Sequence, residues 1–154
     1  MKWTKRVAAL LLSLAMVLAL MPGMNMTVYA GAPSGDCGAN GDNVKWSFDG
    51  ETLTISGSGM MKSYNYDTEP WKNYQGQIGK IVINEGVTAV GAGVFSECSK
   101  VTSITIPNTV TSIGSSAFQG CTSLTGITIP DKVTSIGGYA FQYCTSLTSI
   151  TIPA

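Results

Sequence analysis

The sequence contains no histidine and few charged residues. Lysine and arginine number 9 in 154 residues, aspartate and glutamate also number 9, and charged residues make up 12% of the chain. Without histidine there is no Ser-His or Cys-His catalytic pair and no imidazole ligand for a metal. Without a basic stripe there is no electrostatic surface for a phosphate backbone. We therefore expect no cofactor, no metal and no nucleic-acid partner.

The first thirty residues have the pattern of a secretory signal peptide. Lys2, Lys5 and Arg6 give a positive start, and the residues at 7–20 carry no charge. This apolar run is shorter than the about 20 residues that a membrane-spanning helix needs. Cleavage after Ala30 leaves six lysines, nine acidic residues and no arginine. We predict a secreted or cell-surface protein whose mature chain has no membrane span.

An internal repeat of 23 residues dominates the second half of the chain. Apolar side chains recur at this spacing in several series. The clearest are Phe95, Phe118 and Phe141; Cys98, Cys121 and Cys144; Ile81, Ile104, Ile127 and Ile150; and Ile83, Ile106, Ile129 and Ile152. A fixed period of this length is the signature of stacked repeats. Residues 78–154 hold three complete units and the start of a fourth.

Each repeat unit has the pattern of one coil. In the unit at 124–146, isoleucines flank Thr128 in strict alternation, which predicts a short strand with one buried face. A proline ends this strand, and a second extended segment follows at 133–136. The spacing of the apolar residues from Ala140 to Cys144 predicts a single helical turn that faces inward. Stacked coils of this kind form a repeat solenoid with short parallel strands.

The repeat resembles the BspA-like class of bacterial leucine-rich repeat. An isoleucine pair, a proline, Ile-Gly, Ala-Phe and a cysteine recur at fixed offsets between Leu124 and Leu147. The resemblance implies a right-handed leucine-rich-repeat-like coil and a non-catalytic protein that acts in adhesion. Gly86, Thr109 and Lys132 stand where the better-known leucine-rich repeat has asparagine. We therefore expect no asparagine ladder.

The segment at 31–77 has a different pattern from the repeats. Apolar and polar residues alternate on both sides of Asp49 and Gly50, which predicts a β-hairpin. The open end of a repeat stack exposes apolar side chains and unpaired strand edges. We therefore predict that this β-hairpin is an N-terminal cap and that Trp46 and Trp71 lie in its core.

The predicted organisation has three parts. They are a signal peptide at 1–30, the cap and a linker at 31–77, and the repeats at 78–154. The sequence at 150–154 stops one strand into a coil and has no polar cap. Either the chain is a fragment of a longer protein, which we favour, or another chain covers this edge.

Two groups of residues are candidates for contact with a partner. Thr105, Thr128 and Thr151 are expected to form an outward row on the parallel strands, although threonine is also common there for its β-propensity. Tyr139 and Tyr143 are expected to face solvent. We predict that these residues form an interaction surface for an extracellular protein or a glycan. The alternatives are a structural spacer for a missing C-terminal domain and a glycan-binding module.

The cysteines and carboxylates do not indicate catalysis. Equivalent cysteines of stacked coils point in parallel, which suits neither a zinc site nor a disulfide, so we expect small buried hydrophobes. The pairing of Cys37 stays open. Asp67 and Glu69 are the closest acidic pair near aromatics, but neighbouring acids in a linker are usually solvated. We predict that the protein is not an enzyme and has no catalytic residues.

Overall fold

A computed structural model describes residues 31–41, 43–65 and 67–152. The predicted signal peptide and its cleavage site after Ala30 lie outside the described residues. Short β-strands and one 3-10 helix (Lys72–Tyr74) form the regular structure. The strands are β1 (Ser34–Asp36), β2 (Val44–Phe48), β3 (Thr52–Gly57), β4 (Gly59–Met60), β5 (Lys80–Ile83), β6 (Val87–Val90), β7 (Ser103–Thr105), β8 (Ser112–Ile113), β9 (Gly126–Thr128), β10 (Ser135–Ile136) and β11 (Ser149–Thr151). No helix in this part of the chain is long and apolar enough to cross a membrane.

The strands β2 and β3 form an antiparallel pair, and β1 adds to the other edge of β2. The Asp49 carboxylate organises the turn between β2 and β3, because it accepts hydrogen bonds from the amides of Thr52 at 2.7 Å and Glu51 at 3.0 Å. These two bonds lower the pKa of the Asp49 carboxyl. The alternation in β2 buries Trp46 and Phe48 on one face.

Parallel strand pairs join residues that are 23 positions apart. Ile81 of β5 pairs with Ile104 of β7, and Ile127 of β9 pairs with Ile150 of β11. The fold is therefore leucine-rich-repeat-like, with mostly parallel short strands. The strand β3 also pairs with β5 in parallel, so the N-terminal segment continues the same sheet. A second sheet has the order β10-β8-β6-β4.

An aromatic stack runs through the core from the N-terminal segment into the repeats. Ring centroids are 5.7 Å apart between Trp71 and Phe95, 5.6 Å between Phe95 and Phe118, and 5.5 Å between Phe118 and Phe141. The first three rings are fully buried and that of Phe141 is half-buried. The predicted alignment of the phenylalanine series is confirmed, and Trp71 extends it by one ring.

The predicted helical turn at 140–144 is wrong. Tyr139 and Tyr143 have φ angles of 62° and 61°, a left-handed conformation that an α-helix does not accommodate. Consecutive turns replace the helix. Amides on this side of the coil are divided between the next coil and their own turn: Phe118 N donates to the carbonyl of Ala140 at 2.9 Å, and Gln142 N donates to that of Tyr139 at 3.0 Å. Bonding between coils thus satisfies some of the groups that a helix would have paired internally, and bonds within the turn satisfy others.

Threonine hydroxyls add further bonds between coils. Thr111 donates from both its amide, at 2.9 Å, and its Oγ1, at 3.1 Å, to the carbonyl of Thr88. Thr134 makes the same pair of contacts with the carbonyl of Thr111. These bonds join successive coils at positions 23 residues apart. The 23-residue spacing of these threonines is the sequence signal that indicates these bonds.

Candidate interaction surface

The threonine row lies on the outward face of the parallel strands. Thr105, Thr128 and Thr151 are all exposed, and Thr128 and Thr151 are direct partners across β9 and β11. Val82, the partner of Thr105 on β5, is half-buried. The structure therefore brings the three predicted threonines to one face, on three strands of successive coils.

A groove of about 630 Å³ runs over this row. Its lining alternates between hydroxyl and apolar side chains, as expected for a surface formed by strands. The lining includes Ser103, Ile104, Thr105, Ile106, Ile127 and Thr128. Glu85 is the charged residue of the lining. The groove is thus nearly neutral, and the chemistry that it offers is hydrogen bonding and apolar contact rather than charge.

The two strands that border the groove are not paired with each other. β7 ends the five-stranded sheet β1-β2-β3-β5-β7, whereas β9 pairs only with β11 within the described part of the chain. On the other side of the same coils, the sheet is continuous: Ser112 of β8 pairs with Ser135 of β10. Strand pairing is therefore interrupted locally, on the side that carries the threonine row.

The two predicted tyrosines lie apart from the groove. Tyr139 and Tyr143 are 70% and 63% exposed, and neither lines it. Ser116 and Gly120 hold the equivalent positions one coil earlier, with φ angles of 55° and 74°. A left-handed conformation costs a tyrosine roughly 1 kcal/mol or more, and glycine almost nothing. Burial does not explain why tyrosine occupies these positions.

The cysteine series lies in the core and at its edge. Cys98 and Cys121 are fully buried, and Cys144 is half-buried. The thiol of Cys121 donates to the carbonyl of Phe95 at 3.4 Å, and that of Cys144 to the carbonyl of Phe118 at 3.2 Å. Burial raises the pKa of Cys98 to about 12, and a protonated thiol is a poor nucleophile and metal ligand.

Cys37 is likewise a buried free thiol, and burial raises its pKa to about 12. All four cysteines are free in the part of the chain that the structure describes. In the same part, no group of three Cys, Asp or Glu side chains is placed to hold a metal ion.

The acidic pair in the linker is divided between two environments. Asp67 is exposed and pairs with the ammonium group of Lys72. Glu69 is only 3% exposed, and its Oε1 accepts a hydrogen bond from Gln75 Nε2 at 3.1 Å. The expectation that both acids are solvated is wrong for Glu69, because the Gln75 amide gives its carboxylate a partner in the interior.

The family model described as "BspA type Leucine rich repeat region (6 copies)" matches residues 72–154. The chain belongs to this family. BspA-type repeat proteins are generally non-catalytic, and nothing positive indicates an enzyme in this member. The predicted resemblance is thereby confirmed, and the family is one of protein-interaction or surface modules.

Two solved structures illustrate the relationship of this BspA-type chain to other proteins. A leucine-rich repeat protein from Eubacterium ventriosum is 26% identical, with a TM-score of 0.56 over 79% of this chain and 41% of that one. A leucine rich cell surface protein from Faecalibacterium prausnitzii is 46% identical, with a TM-score of 0.47 over 48% of this chain and 19% of that one. This chain thus spans less than half of either protein. No curated protein matches it.

Proposed function

We propose that this BspA-type chain is an exported, non-catalytic module that mediates adhesion at the cell surface. The observation that carries the proposal is the groove over Thr105, Thr128 and Thr151, which gives the repeat surface a concave and nearly neutral contact area. The partner is an extracellular protein or a glycan. Family membership supports an interaction role in general, and the groove supplies a specific surface for it.

The chemistry of the groove favours recognition by shape and by many weak hydrogen bonds. Threonine and serine hydroxyls both donate and accept, so they adapt to neutral polar partners. The isoleucines beneath them supply apolar contact area. A strongly anionic partner is disfavoured, because Glu85 places a negative charge in the lining.

We include Tyr139 and Tyr143 as a second contact patch. Exposed tyrosines supply large contact areas at low entropic cost, which makes them frequent centres of binding interfaces. We expect their joint replacement by alanine to weaken binding about tenfold without loss of stability, as measured by surface plasmon resonance and urea unfolding. Unchanged affinity would show that the two tyrosines are not part of the interaction surface.

We also propose that residues 31–77 cap the first coil of a solenoid. Three contacts support this role. The Tyr64 amide donates to the carbonyl of Ala92 at 2.8 Å, Trp71 Nε1 donates to the carbonyl of Val94 at 3.0 Å, and Gln75 Nε2 donates to the carbonyl of Ser96. Acceptors that a preceding coil would otherwise satisfy are thus paired.

The adhesion proposal is tested by screening the purified chain against extracellular-matrix proteins and a glycan array. We expect a ligand whose affinity falls at least tenfold in Thr128→Arg, which places a long charged side chain in the groove. Thr88→Arg is the matched control, since Thr88 is exposed on β6 and does not line the groove. If neither panel yields a ligand, the structural spacer is favoured. An equal loss of affinity in both variants would show that the groove is not the binding site.

Export is tested separately with the full-length chain. Expression in a bacterium with a secretion system is expected to release a protein whose N-terminal residue is Gly31. Retention of the uncleaved chain in the cell would contradict the localisation.

A further inference from the structure

The turns that follow β6, β8 and β10 share a left-handed position that recurs every 23 residues. Glu97, Gly120 and Tyr143 hold this position, with φ angles of 59°, 74° and 61°. Glycine adopts this conformation without strain, whereas glutamate and tyrosine adopt it at an energetic cost. Glu97 and Tyr143 are both exposed, so burial does not offset that cost. Strained residues of this kind concentrate at functional sites.

The glycine between these two residues lets the Glu97 carboxylate cross one coil. A Cβ on Gly120 would meet Glu97 Oε1 at 2.5 Å and Oε2 at 2.9 Å. The carboxylate therefore lies over Gly120, in the space that a side chain would otherwise occupy. Neighbouring coils on this side are 5.5 Å apart, measured between the rings of Phe118 and Phe141. The carboxylate is thus separated from Tyr143 by one coil and not by two.

The Glu97 carboxylate has no partner among the residues that the structure describes. It forms no ion pair with them and accepts no hydrogen bond from them. Lys100 is exposed three residues further along the chain and does not pair with it. The equivalent turns of the next two coils, at 115–123 and 138–146, contain no charged residue. This face of the repeats therefore combines one unpaired negative charge with exposed aromatic rings.

We propose that Glu97 and Tyr143, flanked by Tyr139, bind an arginine side chain of a partner protein. This inference rests on the proposed adhesive function and names the chemistry of the partner. A guanidinium group donates two parallel hydrogen bonds to one carboxylate, and its flat face packs on an aromatic ring. A tyrosine ring attracts a cation within about 6 Å of its centroid, so a carboxylate and a ring in neighbouring coils can serve the same group.

The charge of this site favours a basic protein segment over a neutral glycan. The predicted mature chain has six lysines and nine acidic residues, so its overall charge also attracts a basic partner. Tyrosine and arginine are enriched at the centres of protein interfaces. A neutral glycan would pack on the tyrosine rings but would gain nothing from the charge of Glu97. Glu97 is therefore the residue that distinguishes the two classes of ligand.

The required chemistry defines a probe and its control. The probe is the blocked peptide Gly-Ser-Arg-Ser-Gly. The control peptide has citrulline in place of arginine, which keeps the length and the flat end of the side chain and removes its charge. A neutral hexasaccharide represents the glycan alternative.

The experiment titrates the ¹⁵N-labelled chain with both peptides and with the hexasaccharide. We expect the arginine peptide to shift the amide signals of Glu97, Gly120 and Tyr143, and the citrulline peptide to bind about tenfold more weakly. Equal binding of the two peptides, shifts confined to other surfaces, absence of binding, or preference for the hexasaccharide would each overturn the inference.

Three variants connect the result to the site. Glu97→Gln keeps the shape of the side chain and removes its charge, so it is expected to weaken binding of the arginine peptide about tenfold. Tyr143→Ala removes the ring and is expected to weaken it about threefold. Asp131→Asn is the matched control, because it removes an exposed negative charge from the same coil as Tyr143 without touching the site.

Equal losses in Glu97→Gln and Asp131→Asn would show that overall charge attracts the peptide, and would overturn the inference. Unchanged affinity in Glu97→Gln or in Tyr143→Ala would do the same. A partner found by screening that is sensitive to Thr128→Arg but not to Glu97→Gln would leave the adhesive function standing and would overturn only the arginine site.

Discussion

The repeats and the N-terminal segment join coils by different chemical groups. Between the first and second repeats, backbone amides donate these hydrogen bonds: Phe95 N donates to the carbonyl of Ala117 at 2.9 Å and Glu97 N to that of Gln119 at 2.7 Å. Before the first repeat, the Tyr64 amide still donates to the carbonyl of Ala92, but side chains replace the next two amides: Trp71 Nε1 donates to the carbonyl of Val94 and Gln75 Nε2 to that of Ser96.

The difference predicts how each region responds to substitution. Any residue except proline supplies a backbone amide, so the joints between repeats tolerate changes in sequence. A joint made by an indole and a carboxamide depends on those two side chains. The N-terminal segment is therefore expected to be the region most sensitive to single substitutions, and the following predictions examine this contrast.

The largest effect is expected at Trp71. This residue is fully buried, stacks on Phe95 and donates to the carbonyl of Val94. Trp71→Ala removes all three contributions and is expected to lower the free energy of unfolding by about 3–5 kcal/mol in urea titrations. Trp71→Phe keeps most of the stacking and loses the donor, so its loss should be about 1–2 kcal/mol. Equal losses in the two variants would show that the hydrogen bond contributes all of the effect.

The second effect concerns the charge at Gln75. Its Nε2 faces two acceptors, the carboxylate of Glu69 and the carbonyl of Ser96, while its Oε1 accepts from Lys72 Nζ at 2.8 Å. Gln75→Glu places a carboxylate oxygen against those acceptors and is expected to cost about 3 kcal/mol at pH 7.

The pH dependence of Gln75→Glu has a definite sign. Repulsion raises the pKa of the new carboxyl in the folded state, so the folded protein binds its proton more tightly than the unfolded chain. The loss is therefore present at neutral pH and recovers as the pH falls through that raised pKa toward about 4.3, the value of free glutamate. Gln77→Glu at an exposed position is the control, and a pH-independent loss would contradict the explanation.

The third prediction compares a buried thiol from each region. The pKa values of Cys37 and Cys98 are raised to about 12, whereas the pKa of a cysteine in the unfolded chain is about 8.5. Between these values the folded protein holds protons that the unfolded chain loses, so stability falls as pH rises. The slope is about 1.4 kcal/mol per pH unit for each such cysteine. We expect Cys37→Ala and Cys98→Ala each to flatten the alkaline limb of the curve, and an unchanged slope in either variant would place that thiol in solvent.

The smallest effect is expected at the left-handed positions. Gly93 and Tyr139 are equivalent, with φ angles of 67° and 62°. Tyr139→Gly is expected to raise the free energy of unfolding by about 0.5–1 kcal/mol, because glycine adopts this conformation without strain. Gly93→Ala should lower it, since the added Cβ meets the carbonyl of Tyr64. A loss of stability in Tyr139→Gly would indicate that the tyrosine contributes to folding.

The period predicted the strand register and the alignment of the phenylalanines, because stacking equivalent residues buries the same side chains in every coil. It did not predict that β7 and β9 are unpaired. Residues 102–106 and 148–152 have the identical sequence Thr-Ser-Ile-Thr-Ile, yet only the second segment pairs with β9. Identical local sequences cannot distinguish the two junctions, so the difference arises from the packing of whole coils.

The candidate site was also predictable only in part. Alternation placed Thr105, Thr128 and Thr151 outward, and that expectation agrees with their exposure. The burial of Glu69 was not predictable, because it depends on the donor that Gln75 supplies from six positions away. The left-handed turns at Tyr139 and Tyr143 were not predictable either, because the spacing of the buried residues suits a helix as well as the turns that form.

The sequence by itself determined the length of the coil, the residues that face inward and the family to which the chain belongs. These properties repeat in every unit, so each is specified several times. The tertiary structure alone decided where strand pairing is interrupted and which side chains bond to the first coil. These features occur once, and they depend on contacts between distant residues whose energies differ too little for a local pattern to show.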